Sequence, residues 1–330
     1  MGLTIPEDER LLVLHDRPQE VVAVIAEHFP ALPMAIATRP EEVVPALAAH
    51  QPTMVFSLKH SGFPGPAHRP AVRHRSVRWL HVGGSGVEHL APWPERVQVT
   101  NCAGVLAPFL AETAIAALLS LTTGLHRYAR KQRQREWSPH RFRPLAGRTL
   151  LVVGLGATGG EVALRAKALG MRVVGIRASG EPHPAAEAVY PPSALARLLP
   201  LADVVSLHVR HTRETHHLMS QRALEKMKPG ALLLNSARGG VVDQDALLGA
   251  LLSGHLGGAW LDVFAVEPLP LDSPLWGLPN VIVTPHAADQ VSDFPARFAR
   301  RFCELLPRYL AGEPLPVVSL PAEARAPESP

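Results

Sequence analysis

The chain has 330 residues, 47% hydrophobic and 19% charged, a composition that excludes a disordered or fibrous protein and leaves room for two globular domains. Its two cysteines, Cys102 and Cys303, exclude a disulfide framework and fit a reducing, cytoplasmic setting. Net charge is +4, and the densest basic run, Arg127 to Arg148, lacks an aromatic platform or nucleic-acid motif, so it reads as a solvated helix face with no nucleic-acid partner.

Met1 to Glu9 lacks the basic stretch and apolar core of a signal peptide, and Pro6 stands where myristoylation would want Ser or Thr. Arg10 to His15 (RLLVLH) predicts a short buried strand, followed by a helix with Pro18 near its start. Strands are expected at Met34 to Thr38, Thr53 to Ser57, Val77 to Val82 and Val97 to Thr100, with a helix over Pro40 to His50. Lys59 and His60 follow one of these strands, and either border a ligand or lie on a plain surface loop. Alternating strands and helices imply a parallel sheet covered on both faces.

A single long helix is expected from Ala107 to about Trp137. The most membrane-like run, Val105 to Leu125, contains Pro108, Glu112 and three threonines, and predicts a buried core or dimer helix with no membrane span. Six strands are then expected, at 149–153, 172–176, 203–208, 231–235, 257–262 and 281–284, with helices at 159–169, 193–199, 220–227 and 243–253. The first strand runs into Gly154-Leu155-Gly156-Ala157-Thr158-Gly159, the strand, G-x-G-x-x-G, helix order of a dinucleotide site. In such a turn the first glycine bends the chain, the second admits a pyrophosphate, and the third lets helix pack on strand. The last helix, Ser292 to Ala311, is expected to pack back on the first domain, giving a discontinuous domain of 1–103 with 290–330 and a second domain of 104–289. The tail from Glu313 to Pro330 reads as a loose end.

Three polar residues fall on loops after late strands, at the carboxyl edge where open α/β sheets bind ligands. Arg238, in Asn235-Ser236-Ala237-Arg238-Gly239-Gly240, is suited to clamp a carboxylate with two parallel bonds. His286, in Thr284-Pro285-His286, is suited to give a proton to a carbonyl oxygen and take it back, and Glu267 is a carboxylate able to favour its charged form.

These blocks, in this order, resemble the D-isomer-specific 2-hydroxyacid dehydrogenase family over nearly the whole chain. The signature from Met227-Lys228-Pro229-Gly230 to Asp243 carries the likeness, with Leu261-Asp262-Val263-Phe264, Glu267-Pro268-Leu269, Thr284-Pro285-His286, and the Val99-Thr100-Asn101 and Ala111-Glu112-Thr113 segments. The resemblance implies two doubly wound parallel-sheet α/β domains, a Rossmann NAD(P)-binding domain and a discontinuous flavodoxin-like substrate domain. It implies that Arg238 binds the substrate carboxylate and keto group, that His286 is the acid/base and that Glu267 is its partner. Gly83, Gly84 and Ser85 would offer backbone N–H groups to the same carboxylate, and domain closure would expel water. Gly154, Gly156, Ala157, Thr158, Gly159, Arg177, Ser179, His208, Arg210, Thr215, Ala237 and Asp262 would contact the cofactor. No metal is implied, and a homodimer would form through the 107–137 region.

Two departures from the family pattern bear on the cofactor. Arg177 ends the second strand of the dinucleotide domain, where NAD-preferring members carry an acidic residue, and Arg210 replaces a usual proline. Both attract a 2′-phosphate, so NADPH is expected over NADH, with NADH still usable. Asp289, where small residues are usual, has no assigned role. The activity implied is reduction of small 2-oxo acids of the glyoxylate and hydroxypyruvate type to D-2-hydroxy acids. A dinucleotide-sensing co-repressor on the same scaffold is the competing reading, and an inactive nucleic-acid-binding relative a third.

Overall fold

Short apolar runs in the first hundred residues build a five-stranded parallel sheet: β1 (Leu11–Leu14), β2 (Met34–Ala37), β3 (Met54–Leu58), β4 (Trp79–Gly83) and β5 (Gln98–Asn101). The structure, a computed structural model, describes residues 4–60 and 62–318; the part of the expected loose tail beyond 318 lies outside the described residues. Contacts divide the chain into two units, one of residues up to Val105 with those from Val291 on, the other Leu106–Gln290. The strand order of the first unit is β2-β1-β3-β4-β5, a doubly wound arrangement with crossovers through α1 (Gln19–His28), α2 (Val43–His50) and the short α3 (Arg69–Arg73). Strands β1 (LLVL) and β3 (MVFSL) are buried at every residue, as a sheet covered on both faces requires.

Three histidines are buried in this unit, His15, His68 and His81, and the last two are the most deeply enclosed. His81 on β4 bonds Thr100 Oγ1 at 2.8 Å and Cys102 Sγ at 3.2 Å, while His68 bonds Ser57 Oγ at 2.7 Å. Burial lowers His68 to about 4, and burial with the charge of Arg301 lowers His81 to about 3. The unfolded chain takes up these protons near 6.5, so the unfolded state binds more protons below that pH and stability falls as pH falls. Each ring contributes about 1.4 kcal/mol per pH unit in that window. Urea unfolding at pH 5 is therefore expected to give a free energy on the order of 3 kcal/mol lower than at pH 7. Equal stabilities at the two pH values would show that water reaches the rings.

The second unit opens with α4 (Ala107–Thr123) and α5 (Leu125–Arg133). The single helix expected over 107–137 is thus corrected to two, meeting at a bend of 68°. Gly124 adopts a left-handed φ of 76°, which ends α4 and forbids its continuation. Its α-carbon also faces the His140 ring, 2.4 Å from where a Cβ would stand. No single described helix is long and apolar enough to cross a membrane. The bent pair passes by length and composition only, and Ala111, Ala114 and Leu118 of α4 are buried. No residue of the basic α5 is buried.

After this pair come β6 (Thr149–Val153), α6 (Ala157–Ala168), β7 (Arg172–Ile176), β8 (Ala188–Tyr190), α7 (Leu195–Leu198), β9 (Val204–Leu207), α8 (Gln221–Glu225), β10 (Leu232–Asn235), α9 (Gln244–Leu252), β11 (Gly258–Leu261) and β12 (Val281–Val283). The sheet is parallel, in the order β12-β11-β10-β9-β6-β7-β8. It has seven strands where six were expected. The extra one, β8, is a three-residue edge strand after a proline-rich loop, too short to show a period. Alternation in β6 sends Leu150 and Val152 to the cluster with Ala163 and Leu118, and Leu151 and Val153 to the cluster with Leu198 and Leu251. The order reverses between β6 and β9, which places a ligand crevice at their carboxyl ends.

The final helix, α10 (Phe294–Leu310), belongs to the first unit, where it packs on α1 and β4. Phe302 lies inward and stacks on Trp79 with ring centroids 4.8 Å apart.

Candidate active site

Strands β10, β11 and β12 are neighbours, with Asn235 opposite Leu261 and Leu261 opposite Val283. Register alone therefore brings the loops bearing Arg238, Asp262–Glu267 and His286 side by side at the carboxyl edge. Gly239 lets two of them close. A Cβ there would stand 1.9 Å from the Phe264 carbonyl oxygen, a backbone atom, so only glycine fits unless the loops part.

Glu267 is then held from two sides. Its Oε1 accepts the Phe264 N–H at 3.0 Å, and its Oε2 lies 2.8 Å from His286 Nδ1. Burial would raise Glu267, but the bonds from His286 and Phe264 and the charges of His286 and Arg238 outweigh it and hold the carboxyl below its ordinary range. An ionised Glu267 fixes the proton on Nδ1 of the ring and leaves Nε2 as the working nitrogen. Both side chains stay partly open, His286 at 45% and Glu267 at 36%.

The backbone of His286 is in the left-handed region, φ 51°, and its N–H bonds the carbonyls of Asp262 and Thr284. Asp262 is 2% exposed, and its carboxylate is turned onto this loop. It accepts from the Thr284 hydroxyl at 2.6 Å, from Ala287 N–H at 2.9 Å and from Ala288 N–H at 3.2 Å. Trp260 Nε1 donates to the same Thr284 hydroxyl at 3.0 Å. Sequence reasoning missed Thr284 and Gly239 as supports. The only available signal was the small hydroxyl two residues before the histidine and the glycine beside the arginine. Arg238 donates to the Ala237 carbonyl at 2.7 Å, and the side chain of Asn235 bonds Ala237 N–H and the Arg238 carbonyl. Asp289 is touched by Gln290 Nε2 at 3.3 Å, and nothing in the structure explains it.

The glycine turn fits a dinucleotide pyrophosphate. Gly154 has φ 97°, and a Cβ there would meet the His208 carbonyl at 2.6 Å. At Gly159 it would meet Gly154 O at 2.2 Å, whereas at Gly156 it would meet nothing, leaving an open approach to the N-terminus of α6. Ala157 and Thr158 form the first turn of that helix. His208, whose ring bonds Ser206 Oγ at 2.8 Å, is kept neutral by desolvation, with its value lowered to about 4. Thr215 braces the following loop, donating to the Arg210 carbonyl at 2.6 Å and accepting from Thr212 N–H at 2.7 Å. Arg177 follows β7, and Ser179 Oγ accepts the Glu181 N–H at 3.4 Å.

In the first unit, Gly83 ends β4, and Gly84 adopts φ 127° with open space where a Cβ would be. The turn is tied down by Asn101 Nδ2, which donates to Ser85 O at 2.7 Å, and by Cys102 N–H on Gly84 O at 2.8 Å. His60 Nδ1 lies 2.9 Å from Asp16 Oδ2.

Comparison with known proteins gives one consistent result. Residues 115–288 match the NAD binding domain of the D-isomer specific 2-hydroxyacid dehydrogenases. The chain is 33% identical to the glyoxylate reductase of Korarchaeum cryptofilum over 310 residues, 92% of this chain and 93% of that one. Among solved structures it is similar to a D-isomer specific 2-hydroxyacid dehydrogenase family protein from Aeromonas salmonicida, at TM-score 0.83 and 35% identity over 94% of this chain and 98% of that one. It is also similar to a D-isomer specific 2-hydroxyacid dehydrogenase from Xanthobacter autotrophicus solved with NADPH and MES, at TM-score 0.79 and 29% identity over 94% and 98%.

Proposed function

The chain belongs to the D-isomer specific 2-hydroxyacid dehydrogenase family, and we propose that within it the chain reduces small 2-oxo acids of the glyoxylate and hydroxypyruvate type with NADPH. As a member it is an NAD(P)-dependent oxidoreductase of 2-hydroxy acids. The observation that supports the reductase chemistry is the 2.8 Å contact between His286 Nδ1 and Glu267, whose carboxylate also feels the charge of Arg238.

Arg238 binds the substrate carboxylate through paired N–H groups. His286 Nε2 carries the proton that goes to the keto oxygen and takes it back in the reverse reaction. Glu267 keeps the ring oriented and stabilises its charged form. Gly154–Gly159 and the N-terminus of α6 would hold a nicotinamide dinucleotide, which when bound would supply the hydride. The same reading makes the protein a cytoplasmic homodimer built on the α4–α5 region, which sedimentation would test.

The choice of NADPH rests on Arg177 and Arg210. Arg177→Ala is expected to lower kcat/KM with NADPH by about 10- to 100-fold and to leave the value with NADH nearly unchanged, because a charge-assisted bond to the 2′-phosphate is worth about 1.5–3 kcal/mol. Equal losses with both dinucleotides would refute that role.

The first experiment follows NADPH and NADH consumption in parallel with glyoxylate, hydroxypyruvate, pyruvate and a bulky aromatic 2-oxo acid. Turnover of the two small acids, greater with NADPH, is the expected result. Better use of NADH would overturn the cofactor choice. Tight NADPH binding without turnover would point to a dinucleotide-sensing protein instead.

A further inference from the structure

The end of β7 carries a carboxylate as well as a guanidinium. Gly180, at φ 68°, donates its N–H to the Arg177 carbonyl at 3.0 Å and turns the chain back on itself. The bond from Glu181 N–H to Ser179 Oγ follows within the same turn. Glu181 Oε2 is thereby placed 3.9 Å from Arg177 Nη1. Glu181 is 70% exposed, and an ion pair this open contributes little to folding. Its effect is felt instead by whatever Arg177 binds.

We propose that Glu181 is a specificity-determining residue of the cofactor site: its carboxylate competes with an incoming 2′-phosphate for Arg177 and so moderates the preference for the phosphorylated dinucleotide. The proposal rests on the reading of Arg177 above. A 2′-phosphate must displace Glu181 from the guanidinium or sit beside it, and in either case it meets a like charge at close range. An unphosphorylated ribose meets no such repulsion, and its hydroxyls find an acceptor in the same carboxylate. Four residues beyond the strand end, Glu181 thus restores part of the acidic character that position 177 lacks. Both charges are exposed, so salt screens their effect.

Glu181→Gln keeps the side-chain shape and removes the charge. Fluorescence titration of the purified protein is expected to show NADPH binding about 3- to 10-fold more tightly in this variant, and NADH unchanged or slightly weaker. The gain should shrink between low and high salt, and Glu181→Lys should extend it. Arg177→Ala is titrated in parallel. If it abolishes the preference for NADPH while Glu181→Gln leaves the ratio of the two affinities unchanged, Glu181 has no part in selection and the Arg177 reading stands. If neither substitution moves the ratio, both readings are overturned.

Discussion

Replacing His286 by alanine is expected to lower kcat for 2-oxo acid reduction by about 10²- to 10⁴-fold, the usual contribution of a positioned acid or base. Dinucleotide affinity should change little. β12, which precedes His286, is four strands away from β6 in the sheet, and β6 carries the glycine turn. Glu267→Gln tests the partner separately. The amide can still meet Nδ1 but no longer offers a negative charge, so the ring loses what favours its charged form. Reduction should then fall, by a smaller factor than in His286→Ala, because the ring keeps a hydrogen-bond partner at Nδ1. Near-normal turnover by His286→Ala, at any pH, would remove the histidine from the chemistry and with it the proposed proton path.

The features legible in the sequence are those whose cause is local. Gly154, Gly156 and Gly159 announce their turn because each is needed within six residues of chain, and β6 announces its burial by four apolar residues in a row. The neighbourhood of Arg238, Glu267 and His286 could also be inferred, since each follows a strand and a parallel sheet gathers such loops at one edge. Features set by distant backbone were hidden. Nothing near Gly124 shows that a helix ends there rather than carrying one glycine, since its αL conformation is accompanied by packing against His140, 16 positions on. Asp262 stands in a motif that resemblance ties to the cofactor, yet its carboxylate is engaged by Thr284, Ala287 and Ala288, more than 20 residues away. Glu181 reads as an ordinary surface acid until the Gly180 turn is seen.

Gly239→Ala is the substitution expected to do most damage without removing any functional group. The added methyl would lie 1.9 Å from Phe264 O and 2.0 Å from its carbonyl carbon, and backbone cannot rotate away as a side chain can. The loops of Arg238 and Glu267 must separate by more than 1 Å to reach ordinary contact. The N–H of Phe264 that braces Glu267 moves with them, so the carboxylate shifts relative to both His286 and Arg238. A misplacement of this size costs roughly 100-fold in rate even where every catalytic group is retained. Stability should fall as well, by about 1–3 kcal/mol, as for other overpacked positions. Gly240→Ala is the matched control. The nearest atoms to its methyl belong to the His211 ring, an exposed side chain held by a single 3.0 Å contact to His216 Nδ1 and not by backbone, so both losses should be smaller than at Gly239. Measuring kcat/KM and Tm for the pair separates the close approach from a general intolerance of the loop. If Gly239→Ala matched Gly240→Ala in both quantities, the contact with Phe264 would not be what sets the geometry of the triad.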